Sequence, residues 1–471
     1  MTNTNDTKPK KPQTFQELIM VVSKRPPNLQ QYLDDINLLV LMPEDCEHHG
    51  ALEGLKLGNL KSLTVARSIH NTDHNLLPYL QPQLESLFYY GGPITNLFFQ
   101  RLQFCCPSLK ELLISNPRYT EYTSEGLRRY VEGAKSLRTL QILCDLDRAV
   151  TCGIFCALAK TSALRILDFR IPLTTQLIQA AVIVRRHYAD NSQLFSRLQR
   201  LVCITDYKAL LRLLPHLHSL IDLEVSISGQ VRDLFAEFCR LDLQLRFIQL
   251  EFLSKRLIQI NPLTMHKFVK RRAWDVEKLS ISGENLWGTG FTTPVLDIME
   301  RATSLKILRL WMNNDLNEAA LLTAATCGAQ GRLTELDLGG FHDLALLMSQ
   351  YNMKIFKFGD QFKALNLGRI RWPSGGSSTM EAKAAQLARF LMTIAPTLVE
   401  FNIRDSWDTF SSIFKRAVLR MIGDPSEIGD DIDDKADGII LKVGPKTPPM
   451  GQPTRNECYA SEMRLLDQVR D

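Results

Sequence analysis

One short pattern recurs along this chain: an apolar residue, two variable ones, an apolar residue, one variable, and a third apolar residue. It is plain in "CCPSLKELLIS" at residues 105–115, and again in "PQLESLFYY", "KSLRTLQIL", "SALRILDFR", "HSLIDLEVS", "TSLKILRLW", "GRLTELDLG" and "PTLVEFNIR". Thirteen copies begin at Leu52, Leu84, Leu109, Leu137, Leu164, Leu198, Leu220, Leu245, Val276, Leu305, Leu333, Phe362 and Leu398. Successive copies lie 22 to 36 residues apart, about 29 on average. No single copy can bury its own apolar face, so such units are stable only when stacked.

The alternating apolar pair at the end of each copy has period two, the mark of a short strand with one buried face. The next strand, some 29 residues on, must pair beside it in parallel. A parallel pairing needs a crossover, most often a helix. The intervening segments supply it: "PITNLFFQRLQFCC" and "MEAKAAQLARFLMTIA" carry apolar residues at helical spacing. A strand plus a helix at this period is the leucine-rich-repeat signature. The expected fold is an α/β leucine-rich-repeat solenoid, a horseshoe with a parallel sheet on its concave face and helices on its convex face. Residues 1–14 are expected to form a disordered tail and residues 15–50 an N-terminal cap of a helix and a first strand. The solenoid is expected over 51–420 and an acidic, Pro/Gly-rich, largely disordered tail over 421–471.

The cysteines fit this scheme. Cys106–Pro107 fills the slot taken by Ala395–Pro396 and Leu214–Pro215 elsewhere, where a small or apolar residue closes a helix and Pro stops it. Cys152 and Cys156 lie one helical turn apart with no second pair at zinc spacing, so no metal is expected. The sequence carries no phosphate-binding loop, nucleophile elbow or zinc-protease pair. "PSGGSST" at 373–379 lacks the lysine of such a loop and reads as a flexible connection. "MHKFVKRRAW" at 265–274 reads as a solvated helix with Phe268 and Val269 turned inward, the alternative being a nuclear address or a patch for an acidic partner. The chain is therefore expected to be no enzyme and to hold no cofactor. Its 56 basic and 51 acidic residues are too evenly matched to argue for nucleic acid. No stretch is apolar enough to span a membrane, nor does the start carry a secretory signal.

In the strands, residues between the apolar ones should face away from the helices. One column runs Lys56, Phe88, Leu113, Gln141, Asp168, Val202, Glu224, Gln249, Ser280, Arg309, Asp337, Asn366, Asn402. A second runs Gly58, Tyr90, Ser115, Leu143, Arg170, Ile204, Ser226, Glu251, Ser282, Trp311, Gly339, Gly368, Arg404. Phe88, Tyr90 and Trp311 have the size of interface anchors. Arg170, Arg309 and Arg404, with Glu224, Glu251 and Asp337, could pair with charged partner groups. These nine residues are the expected protein-binding positions on the concave face.

The segment "ITNLFFQRLQFCCPSLKELLIS" resembles the cysteine-containing repeats of the ribonuclease-inhibitor-like class found in F-box substrate receptors. "FQELIMVVSKRPPNLQQYLDDINLLV", residues 15–40, resembles the stretch that follows the F-box in fungal F-box and leucine-rich-repeat proteins. The F-box itself belongs ahead of residue 15, where only a Lys-rich polar stretch stands. The resemblance implies a substrate receptor for a cullin-RING ubiquitin ligase, with the ligase adaptor as a partner. It would be cytoplasmic or nuclear and monomeric. The alternative is a repeat scaffold or regulator with no ubiquitin link.

Overall fold

The computed structural model describes residues 15–24, 28–41, 54–66, 76–90, 94–115, 120–121, 124–143, 150–187, 194–231, 233–241, 243–288, 290, 292–314, 321, 323–325, 332–343, 357–371, 379–403, 413–414 and 417. The expected tails at 1–14 and 421–471 lie outside them, as does nearly all of "PSGGSST". The chain divides into two units, one up to Leu220 and one from Ile221.

In the first unit, seven strands pair in parallel in chain order: β1 (Leu38–Leu41), β2 (Ser62–Val65), β3 (Ser86–Tyr89), β4 (Glu111–Ile114), β5 (Thr139–Ile142), β6 (Ile166–Leu173) and β7 (Arg200–Asp206). The register stacks one motif position on the next: Leu39, Leu63, Leu87, Leu112, Leu140, Leu167 and Leu201 form a single buried file. Helices fill the crossovers, including α1 (Phe15–Lys24), α2 (Leu29–Asp34), α3 (Asn96–Cys105), α4 (Ser124–Gly133), α5 (Cys152–Lys160), α6 (Thr175–His187) and α7 (Tyr207–Leu213). Phe98 and Phe99 of α3 turn inward and meet Tyr89 of β3 and Tyr130 of α4 at ring-centroid distances of 5.2 and 5.9 Å. Thr95 starts α3 by accepting a hydrogen bond from the Phe98 N–H, 3.3 Å. Cys106 ends it, buried, with its N–H on the Leu102 carbonyl at 3.0 Å.

The second unit repeats the scheme. Seven strands pair in parallel in chain order: β8 (Asp222–Ser228), β9 (Phe247–Phe252), β10 (Lys278–Gly288), β11 (Ile307–Asn314), β12 (Glu335–Asp343), β13 (Ala364–Arg371) and β14 (Glu400–Ile403). The short strand Ile258–Gln259 joins the end of β10. The buried file here is Leu223, Ile248, Leu279, Leu308, Leu336, Leu365 and Phe401. Crossover helices include α8 (Leu234–Leu241), α9 (Pro262–Arg272), α10 (Thr292–Arg301) and α11 (Met380–Ile394). In α9, Met265, Phe268 and Val269 are buried while Lys267, Lys270 and Arg271 are exposed, as expected of "MHKFVKRRAW". Each unit is thus a leucine-rich-repeat stack of parallel strands joined by helices.

One repeat copy was placed wrongly by the pattern. The unit at Leu52 forms no strand over its described residues 54–61. The strand lies at Ser62–Val65, built on Leu60, Leu63 and Val65, so Lys56 and Gly58 join no column. Two glycines explain the difference. Gly54 turns at φ 79°, and a side chain at Gly58 would collide with Asp34, so the chain loops here and buries Leu57 and Leu60 as anchors.

Candidate protein-binding face

The strands of the second unit bring most of the expected positions together. The register aligns Glu224, Gln249, Ser280, Arg309, Asp337, Asn366 and Asn402 across β8 to β14, and Ser226, Glu251, Ser282 and Trp311 across β8 to β11. A third column stands on the same face, one motif step earlier: Asp222, Phe247, Lys278, Ile307, Glu335, Ala364 and Glu400. It is not among the two expected columns, although the same period-two rule predicts it from the residue just before each central leucine.

That third column supplies the partners of the other two. Arg309 donates from Nε and from a terminal nitrogen to the two carboxylate oxygens of Glu335, at 2.6 and 2.8 Å. Burial opposes its charge, but the hydrogen bonds and field of Glu335 outweigh burial and raise its pKa. Lys278 donates to the Gln249 side-chain oxygen at 2.8 Å, and the Gln249 amide nitrogen faces Glu224 at 3.3 Å. Burial, and then the Arg309 charge, push the Lys278 pKa down. Ser226 donates to Glu251 at 2.5 Å. The face is a fixed polar lattice in which neighbouring strands hold one another's side chains in place.

Several expected anchors are not displayed. Trp311 is only 7% exposed, and Asp337 and Asn366 are buried too. The β10–β11 register slips directly after Ser282–Trp311, and β11–β12 pairing ends at Leu310–Leu338. Trp311 itself is still in register with Ser282, which is buried too, so this part of the strand face is covered rather than turned over. Asp337 sits beside the long Arg309 side chain and within its field.

In the first unit, Phe88 lies half-buried between Thr64 and Leu113. Tyr90 falls one residue beyond β3; its N–H bonds the Val65 carbonyl at 2.9 Å and its ring is buried. Arg170 is exposed, 3.7 Å from a buried Asp168 on its own strand. Arg404 lies outside the described residues. No group of three or more potential metal ligands occurs among the described residues. None of the described helices is long and apolar enough to cross a membrane.

No protein-family model and no curated protein matches the chain. Among solved structures it is similar to an internalin, InlF, from Listeria monocytogenes, at 14% identity and a TM-score of 0.39, over 76% of this chain and 88% of that one. It is also similar to the Rad7 and Elc1 complex of yeast, at 13% identity and a TM-score of 0.39, over 82% and 87%.

Proposed function

We propose that this protein is a non-catalytic protein-recognition module whose contact surface is the outward strand face of the second unit. One observation carries the reading. Charged side chains from neighbouring strands are held in register by hydrogen bonds: Arg309 to Glu335, Glu224 and Lys278 each to Gln249, and Glu251 to Ser226. A surface whose side chains are already fixed loses less entropy when a partner docks than one whose side chains must first be ordered. Charges in a fixed array also set which partner fits. Arg170 and the half-buried Phe88 are the corresponding contacts proposed for the first unit, and Arg404 would extend the surface.

The specific role we assign is that of an F-box-like substrate receptor for a cullin-RING ubiquitin ligase, on the strength of the resemblance at residues 15–40 and 94–115. This protein is then monomeric, acts in the cytoplasm or nucleus, and meets the ligase adaptor as a second partner. The test is a pull-down from native extract with the parent and with Glu224→Lys/Glu251→Lys, which reverses two half-exposed charges. Loss of the main partner at an unchanged melting temperature is expected. Equal recovery by both proteins refutes the strand-face reading. Recovery of partners without a cullin adaptor refutes the receptor role and leaves a scaffold.

A further inference from the structure

The residue immediately before each strand forms a row of its own. In the first unit this row is Lys61, Glu85, Lys110, Arg138 and Arg165 on β2 to β6. It is ordered by the backbone. The Glu85 N–H bonds the Lys61 carbonyl at 2.8 Å, Lys110 bonds Glu85 at 2.7 Å, Arg138 bonds Lys110 at 2.7 Å, and Arg165 bonds Arg138 at 2.7 Å. Each side chain therefore springs from a fixed point about 4.8 Å from the next, the ordinary spacing of paired strands.

Charge within the row is unbalanced. Glu85 pairs with Lys110 at 2.6 Å. Lys61, Arg138 and Arg165 are exposed, with no carboxylate at ion-pair distance among the described residues. The field of the row reaches across strands: the Glu85 carboxyl is held below its usual pKa by its hydrogen bond to Lys110, with further contributions from the charges of Lys61 and Arg138. The equivalent row of the second unit is arranged otherwise. There Glu277, largely buried, pairs with both flanking cations, Arg246 and Lys306.

We propose that the row of Lys61, Lys110, Arg138 and Arg165 is a docking strip for an acidic polypeptide segment. The strip is one residue wide. It is bordered on one side by neutral Gln83, Ser108, Ser136 and Ala163. On the other side stand Ser62, Ser86 and Thr139, with Glu111 held by the Ser86 hydroxyl at 3.0 Å. A membrane surface needs a broad basic plane rather than a single file. A phosphodiester chain carries charge on every unit and would meet Glu85 in the middle of the row. A peptide can set acidic residues against Arg138, Arg165 and Lys61 and a neutral one against Glu85. This strip lies on a different set of residues from the strand face proposed above, so the two stand or fall separately.

The experiment is a titration of the full chain with a labelled oligoglutamate peptide, at low and at physiological salt, followed by fluorescence anisotropy. Saturable binding that weakens with salt is expected. Arg138→Gln/Arg165→Gln should weaken it by roughly tenfold, the order of effect of interface charges on association at low salt. Arg138→Glu/Arg165→Glu should abolish it. Lys267→Gln/Lys270→Gln, which removes two exposed cations from α9 of the other unit, should bind like the parent, and a labelled oligouridylate of equal charge should bind the parent less well than the peptide. Parent-like binding by a folded Arg138/Arg165 variant overturns the proposal. So does tighter binding of the oligouridylate, or no binding by the parent at low salt. Should the Glu variant melt early, the Gln variant decides.

Discussion

Leu336 marks how much one position contributes in a stacked repeat. It is the central apolar residue of "LTELDL", fully buried, and in register with Leu308 on one side and Leu365 on the other. Truncation removes contacts to two neighbouring strands at once and leaves a cavity. Leu336→Ala is expected to cost about 2–5 kcal/mol, read as a lower urea midpoint; a parent-like midpoint would mean that the stacking file is misassigned. Tyr130 of α4 poses the opposite case. Its ring packs on Phe99, but its hydroxyl is buried with no hydrogen-bond partner among the described residues. Burying such a group unpaired costs on the order of 1–3 kcal/mol. Tyr130→Phe is expected to keep the ring packing and to raise the melting temperature or leave it unchanged. A clear loss of stability would mean that the hydroxyl is bonded.

At the scale of the element, β11 to β13 differ from their neighbours in having an irregular ladder. Register slips occur after Ser282–Trp311 and after Leu338–Leu367. Gly339 lies at the second slip, and a Cβ there would come within 2.5 Å of the Met312 carbonyl oxygen. A Cβ on Gly368 would likewise run into the Gly340 backbone. Gly339→Ala therefore forces β11 and β12 apart and is expected to destabilise by about 1–3 kcal/mol. Thermal melting checks this; a neutral effect would mean that the strands separate freely. The same slips explain what the sequence could and could not convey. The apolar-x-x-apolar-x-apolar rule located the strands and their mutual register from Leu84 to Leu398, because burial of one face admits a single alignment. It failed at Leu52, where glycines break the strand, and at Tyr90, one residue beyond its ladder; at Trp311 it assigned the face but not the burial of that position. Arg309 fell in its expected column, yet its partner Glu335 lay in a column that was not read, and pairings between units remote in sequence follow only from the register.

Across the whole molecule, stability is expected to depend on keeping certain buried groups protonated. Cys106 closes α3 ahead of β4, and burial, followed by the neighbouring Cys105, pushes its thiol up to about 12. Cys203 on β7 is raised by burial and then by Asp168, and the Tyr130 hydroxyl by burial and then by Cys106. In the unfolded chain a thiol ionises near pH 8.5 and a phenol near pH 10. Each of these groups therefore has a folded pKa above its unfolded one. Its contribution to stability is complete below about pH 8.5 for the thiols. It is lost as pH rises, until the folded value is reached, near 12 for Cys106. The loss per thiol approaches about 1.4 kcal/mol for each pH unit above the unfolded value, because only the unfolded state releases the proton. The melting temperature is thus expected to fall steeply between about pH 8.5 and 10.5. Cys106→Ala/Cys203→Ala should be less stable near neutrality, through lost packing, but should show a shallower fall. Thiol labelling gives an independent check: a small alkylating reagent should modify exposed Cys152 in the folded protein while sparing Cys106 and Cys203. If the double variant lost stability with pH as steeply as the parent, the alkaline sensitivity would belong to other groups and the buried thiols would not be its source.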